Sequence, residues 1–348
     1  MTKAAPSQQP IDADRVLRWY DANARDLPWR VSPANRAQGE IPDPYRIWLS
    51  EIMLQQTTVA TVGKYYSRFL HLWPTLADLA AAPLDAILVE WAGLGYYARA
   101  RNLHACALAV VERFGGIFPR TSAELLTLPG IGSYTAAAIA AIAFDERVAV
   151  LDGNVERVLA RYGALDVPVR DAKNELRADL QRAVPARAGD FAQALMDLGA
   201  TICAPRTVLC DLCPLQPNCA GTRLRPLDYP VKAEKPERPV RYGHAFILRD
   251  AAGRVLLEQR AEKGLLAKMT GTPVSEWGVT ASEPSFPAAA EWQKRGHVTH
   301  VFTHFRLELD VWSASIAEAT EGRWIAPRDL HAEAVPSLFR KVLAAAGI

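Results

Sequence analysis

Four cysteines in one short stretch, Cys203, Cys210, Cys213 and Cys219, restrict this chain more than any other feature of its sequence. The loops between them hold six, two and five residues, which draws four sulfur ligands around one centre. Such a segment folds as a closed metal or iron–sulfur site, and donor chemistry alone slightly favours zinc. The fifth cysteine, Cys106, sits inside a helix-like run, and the pattern does not suit a secreted disulfide framework. A reducing compartment is expected.

The chain has 348 residues and is 50% apolar, enough to bury at least two cores, so two or three domains are expected. Its start, MTKAAPSQQP, lacks a signal-like apolar stretch, and the longest apolar run, Ala136 to Phe144, is too short to span a bilayer. The expectation is a soluble, cytoplasmic protein with no membrane partner. Its 40 basic and 38 acidic residues leave a net charge of only +2. Bulk charge thus argues against a simple basic DNA-binding module, and any nucleic-acid contact has to come from local loops, backbone amides and inserted side chains.

Periodicity divides the chain in two. Residues 11–222 read as helices punctuated by glycine and proline, with one helix starting at Asp43-Pro44 and running to about Phe69. Others are expected over Ile11–Tyr20, Ala98–Phe114, Ser122–Thr127, Tyr134–Phe144, Val155–Tyr162, Lys173–Ala183 and Gly189–Gly199. Residues 223–240 are rich in proline and charge and read as a linker. Beyond it, Tyr242–Leu248 with Arg254–Glu258, and His297–Val301 with Phe305–Trp312, alternate as strand pairs, and Pro336–Ala345 is an amphipathic tail. Residues 241–348 are therefore expected to form a small α+β domain.

The run from Thr121 to Ala140 contains LPGIG and has a definite physical reading. Thr121 and Glu124 are spaced as a capping box, Pro129 and Gly130 stop that helix, Gly132 permits a tight turn, and Ser133 caps the next helix. The product is a helix–hairpin–helix whose glycines let a phosphate approach backbone amides at a helix N-terminus without any base being read. An ordinary corner between two helices would use the same residues.

LPGIG, then LDGN at 151–154, then the four cysteines make an order that resembles the helix-hairpin-helix DNA glycosylase superfamily, in its endonuclease III and MutY branch. SEIMLQQT at 50–57 and GLGYYARARNLH at 93–104 are similar to the MutY-type adenine DNA glycosylases. The resemblance extends over nearly the whole chain. It implies a mostly α helix-hairpin-helix catalytic region with one [4Fe-4S] cluster, at 1–222, followed by a Nudix-like domain.

The chemistry that the resemblance implies can be tested against the residues. Adenine leaves a sugar only when its ring nitrogen is protonated, and positive charge then develops on the sugar. One protonated acid and one carboxylate are required. Glu51 shares a helical face with Ile47 and Leu54, where desolvation raises its pKa, and the resemblance makes it the general acid. Asp152 precedes a helix and reads as its N-cap; the amides keep it ionised, and the resemblance adds a role in stabilising the sugar cation. Asn154 orients the same pocket or forms a turn. Tyr134 stands where lyase relatives carry lysine, and a phenol cannot form a Schiff base, so a monofunctional glycosylase is expected.

The remaining residues are implied by the resemblance alone. Gln56, Thr57, Leu94 and Tyr96 enter the base stack. Trp29, Arg30, Leu54 and Gln193 hold the adenine, Gly130, Gly132 and Arg206 meet phosphates, and the four cysteines carry the cluster. In the second domain Phe302, Thr303 and His304 stand where the family has a Phe-Ser-His loop that reads 8-oxoguanine, and no acidic Nudix cassette follows Gly271. The implied substrate is double-stranded DNA containing A:8-oxoguanine or A:G mispairs, and the implied state is a monomer. The chain departs from the family in Ser32–Glu40, a longer link whose glycine, proline and polar residues suggest a surface excursion. An endonuclease III-like glycosylase/lyase and a non-catalytic lesion sensor are the alternatives.

Overall fold

The computed structural model describes residues 10–232, 237–262, 264–319 and 321–348. They form two compact units, the first made of residues up to 81 and 105–232, the second of residues 82–104 with the chain from 237 onward. Part of the expected linker, residues 233–236, and the first nine residues lie outside the described residues. The division expected at 223–240 does not anticipate the transfer of 82–104 to the second unit. Two hydrogen bonds join this segment to the rest of that unit: Arg101 Nη1 donates to the Ala267 carbonyl at 2.9 Å, and Thr303 Oγ1 to the Tyr96 hydroxyl at 3.3 Å.

The helices are α1 (Ala13–Asn23), α2 (Pro33–Ala37), α3 (Pro44–Leu54), α4 (Val59–Leu72), α5 (Leu76–Ala81), α6 (Leu84–Trp91), α7 (Ala98–Phe114), α8 (Ser122–Leu125), α9 (Ser133–Phe144), α10 (Gly153–Tyr162), α11 (Val169–Ala183) and α12 (Ala188–Asp197), the last continuing into a π-helical turn, Leu198–Ile202. Asp43 caps α3 with Pro44 in its first turn, as expected. The single helix expected to reach Phe69 is two. Gln56 adopts a left-handed backbone with φ of 60°, and Thr58 starts α4 by accepting from the Thr61 amide, so the chain turns between α3 and α4.

At the hairpin, Thr121 caps α8 and Gly130 takes a φ of 72° that favours glycine. Gly132 does not share that need, since its φ is −90° and nothing lies within 4 Å of where a Cβ would stand. The expected cap by Ser133 is also absent: Gly132 is the N-cap of α9, Ser133 is already helical, and no side chain caps this end. From Thr135 to Ala143, α9 is buried, and its run of alanines lets α3 and α12 pack closely against it. That packing faces α3 toward the start of α9.

In the second unit β1 (Val240–Arg249), β2 (Val255–Gln259), β3 (Thr270–Gly271), β4 (Gln293–Val301) and β5 (Arg306–Ser315) form one sheet in the order β3-β2-β1-β5-β4, with β6 (Arg323–Ile325) paired to β2. Both expected strand pairs are present and antiparallel, and β1 runs parallel to β5 from Val240↔Arg306 to Arg249↔Ser315. Alternate residues of β5, Leu307, Leu309 and Val311, bury one face against α13 (Ser337–Ala345) through Leu338, Phe339 and Val342. No helix among the described residues is long and apolar enough to cross a membrane.

Candidate active site

A cavity of about 910 Å³ in the first unit gathers Trp29, Arg30, Glu51, Leu54, Gln56, Thr57, Tyr134, Asp152, Asn154 and Gln193 on its walls. This lies within the range of small-molecule pockets and is roomy enough for an extruded nucleotide. Glu51, from the middle of α3, is 7% exposed. Tyr134, in the first turn of α9, donates its hydroxyl to Glu51 Oε2 at 2.6 Å. Burial pushes the Glu51 pKa up to about 7; the Tyr134 hydrogen bond opposes this and the charge of Asp152 reinforces it. Burial raises the Tyr134 phenol as well, so it remains a proton donor to the carboxyl.

Asp152 caps α10, its Oδ1 accepting the Val155 amide at 2.7 Å and its Oδ2 accepting Asn154 Nδ2 at 2.9 Å. Burial raises its pKa, while the Val155 amide, Asn154 and Arg157 oppose the rise. The net direction is upward, against the expectation that the cap would dominate, because desolvation outweighs the hydrogen bonds. The two carboxyls nevertheless differ in kind: Asp152 has amide donors that favour its anion, and Glu51 has one phenol. Asn154 has a further partner in Arg157 Nη2, at 2.9 Å from its Oδ1. Gly199 of the π-helical turn lies so near that a Cβ there would stand 2.7 Å from the Asn154 Cβ.

The Arg30 guanidinium is fixed by a residue that sequence reasoning missed. Asp197, fully buried at the end of α12, accepts Arg30 Nη1 at 2.7 Å and the Arg25 amide at 3.0 Å. Truncating one partner of a buried ion pair leaves the other charge stranded, so Asp197→Ala is expected to destabilise the protein by about 3 kcal/mol or more in urea unfolding. A loss below about 1 kcal/mol, the range of exposed pairs, would contradict this role. The Ser32–Glu40 link is mostly exposed, as expected of a surface excursion, but it is anchored. Ser32 caps α2, and Arg36 reaches inward to Asp145 at the end of α9 and to buried Asp190 at the start of α12.

In the second unit the loop after α6 holds Leu94 and Tyr96. Leu94 is 5% exposed and packs in the core, which corrects the expectation that it is presented to the base stack, whereas Tyr96 is 49% exposed with a left-handed φ of 47°. Phe302 stacks on Trp277 and packs against Phe305, and so anchors the β4–β5 turn. Thr303 and His304 are exposed at the turn and, with Tyr96, line a cavity of about 510 Å³.

Tight turns at Cys210–Cys213, Cys213–Gln216 and Gln216–Cys219 fold the cysteine segment back on α10. Each thiol is half-buried, and burial raises Cys210, Cys213 and Cys219, each of which also feels the charge of its neighbours. Among the described residues no three His, Cys, Asp or Glu side chains converge closely enough to be grouped as ligands. The donor set is nonetheless suited to an iron–sulfur group: four sulfurs from one segment and no oxygen ligand, with an Arg161 Nη1 donor 3.3 Å from Cys203 Sγ. Arg206 is exposed in the first cysteine loop. Cys106 is a buried core thiol, pushed up to about 12 by burial.

Two family models match the chain: HhH-GPD superfamily base excision DNA repair protein over residues 49–186, and NUDIX domain over residues 244–345. The adenine DNA glycosylase of Homo sapiens is 35% identical over an alignment covering 94% of this chain and 72% of that protein, and that of Mus musculus is 36% identical with 94% and 76% covered. The chain belongs to the adenine DNA glycosylase family. A solved thermostable thymine-DNA glycosylase superposes with a TM-score of 0.53 at 32% identity, covering 61% of this chain and 94% of that one. An endonuclease III–DNA complex shares the fold at a TM-score of 0.50 and 24% identity, over 61% of this chain and 93% of that one. This adenine DNA glycosylase family member thus combines a helical HhH-GPD region with a Nudix-like domain.

Proposed function

We propose that the protein removes adenine mispaired with 8-oxoguanine or guanine in double-stranded DNA, as a monofunctional glycosylase that leaves an abasic site. The observation that carries this reading is the buried Glu51–Tyr134 hydrogen bond in the cavity that also holds Asp152. Glu51, whose pKa burial raises to about 7 so that a sizeable fraction keeps its proton at neutral pH, gives that proton to a ring nitrogen of an extruded adenine, and Tyr134 fixes the carboxyl that does so. The bond from sugar to base then breaks, Asp152 stabilises the developing cation or traps it covalently, and the Glu51 carboxylate positions the water that completes hydrolysis. Asn154 orients Asp152. Trp29, Arg30, Leu54 and Gln193 enclose the base. Gln56, Thr57 and Tyr96 support the opened duplex, and Thr303 and His304 read the partner base.

Residues 1–222, apart from 82–104, which belong to the second unit, act as the catalytic region, 223–240 as the linker and 241–348 as the recognition domain. The amides at the uncapped start of α9 and the Arg206 guanidinium meet DNA phosphates. Cys203, Cys210, Cys213 and Cys219 would hold one [4Fe-4S] cluster, which would tie down the Arg206 loop and leave bond cleavage to the carboxyls. The protein works as a monomer in the cytoplasm, on nucleoid DNA.

The test is adenine release from a duplex carrying A opposite 8-oxoguanine, with strand breakage expected only after alkali. Breakage without alkali would favour the lyase alternative, and binding without release would favour a lesion sensor. Tyr134→Lys is expected to yield a DNA adduct trappable by borohydride on abasic DNA, because it places an amine in the cavity. The same ammonium would favour the Glu51 anion, so adenine release by this variant should fall. A variant that forms no adduct yet binds abasic DNA normally would remove this position from the reaction path.

A further inference from the structure

We propose that Arg161 is the fixed counter-charge of the four-cysteine centre, a positioning residue that sets its reduction potential and retains its iron. The assignment rests on the iron–sulfur reading above. Arg161 lies on α10 and is only 2% exposed, among the largest fully buried side chains of the protein. Its Nη1 donates to the Ala204 carbonyl at 2.8 Å, the Cys203 carbonyl at 3.1 Å and Cys203 Sγ at 3.3 Å, and its Nε to the Tyr229 carbonyl at 3.0 Å. Its own carbonyl lies 3.6 Å from Cys219 Sγ. One residue therefore touches both the first and the last cysteine.

No Asp or Glu among the described residues forms an ion pair with this guanidinium, whereas the buried Arg30 has Asp197 and Arg36 has Asp190. Carbonyl dipoles satisfy its protons but carry no net charge. A guanidinium cannot shed its proton, and an uncompensated buried cation costs several kcal/mol. The group in contact with it that can supply a balancing negative charge is the Cys203 sulfur, anionic when bound to iron and neutral as a thiol. Arg157, one turn earlier, differs because it also bonds Asn154 on the catalytic side at 2.9 Å, whereas the side-chain partners of Arg161 lie in the cysteine loop and the segment that follows it. A cation next to the sulfurs favours the more reduced, more negative state of the centre, and it strengthens retention as outer-sphere partners do at metal sites.

The experiment compares the wild-type holoprotein with Arg161→Met and Arg161→Lys for iron content, visible absorption, rate of iron loss in air and reduction potential by voltammetry. Arg161→Met should show a lower potential and about tenfold or faster iron loss. Arg161→Lys should restore the wild-type potential, since the charge is kept, while losing iron faster than wild type because an ammonium lacks the planar fork. If the methionine variant does not accumulate, the lysine variant decides: a wild-type potential supports the assignment and a lowered one counts against it. A methionine variant with wild-type potential and retention overturns the role of Arg161 and leaves the cluster reading intact. A wild-type protein purified without iron overturns both.

Discussion

Glu51→Gln is expected to lower single-turnover adenine excision about 10⁴-fold, the upper range for loss of a general acid, with binding to mispaired DNA retained. The substitution keeps an oxygen for the Tyr134 hydroxyl to bond and removes only the transferable proton. Wild-type excision should fall as pH rises through about 7, because burial has pushed the carboxyl there and only its protonated form is an acid. The same shift makes a stability prediction whose sign follows from linkage. The folded pKa is raised from 4.5 to about 7, so the native state holds the proton more tightly than the unfolded chain, and stability is lost progressively between those two values as pH rises. At 1.36 kcal/mol per pH unit the loss is roughly 3 kcal/mol. Glu51→Gln should therefore be inactive yet more stable than wild type at pH 8, by up to about 3 kcal/mol, with the difference vanishing near pH 4. Equal denaturation midpoints for the two proteins at pH 8 would show that the carboxyl is not desolvated.

Much of this site was legible because its signals are local. The Asp43-Pro44 start of α3 and the Asp152 cap each need only a few neighbouring residues to be read, and each is present in the fold. The apolar face of α3 announced the burial of Glu51 for the same reason. What stayed hidden are pairings between distant residues. The Tyr134–Glu51 hydrogen bond joins positions 83 residues apart, and Asp197 reaches Arg30 across 167, so periodicity carries no trace of either. The break between α3 and α4 was readable in principle, since Thr58 is a favourable cap, but the apolar periodicity on both sides masked it. Leu94 shows the opposite limit: its type suits insertion into DNA, yet tertiary packing has already used the side chain.

Asp152→Asn separates the charge of this residue from its work as a helix cap. Asparagine caps helices as well as aspartate, so the Val155 amide keeps its acceptor, while Asn154 Nδ2 loses the one it had at Oδ2, and the fold should survive at a cost of about 1 kcal/mol. The anion is gone. Excision should drop about 10³-fold, corresponding to roughly 4 kcal/mol of lost stabilisation of the sugar cation. A second readout tests whether the two carboxyls act together. The charge of Asp152 contributes to raising Glu51, so without it the limb of the pH profile near 7 should move to lower pH in whatever activity remains. Asp152→Ala would lose the cap as well and add about 1 kcal/mol of destabilisation, which lets the structural contribution be subtracted. A large rate loss with the limb unmoved would mean that Asp152 acts on the sugar without reaching Glu51. An unchanged rate would leave Asp152 with the cap alone, and the developing cation would need another anion in the cavity. Among the residues lining it, only Glu51 and Glu156 could serve, and Glu156 is paired with Lys173 at 2.6 Å while Glu51 is needed as the acid.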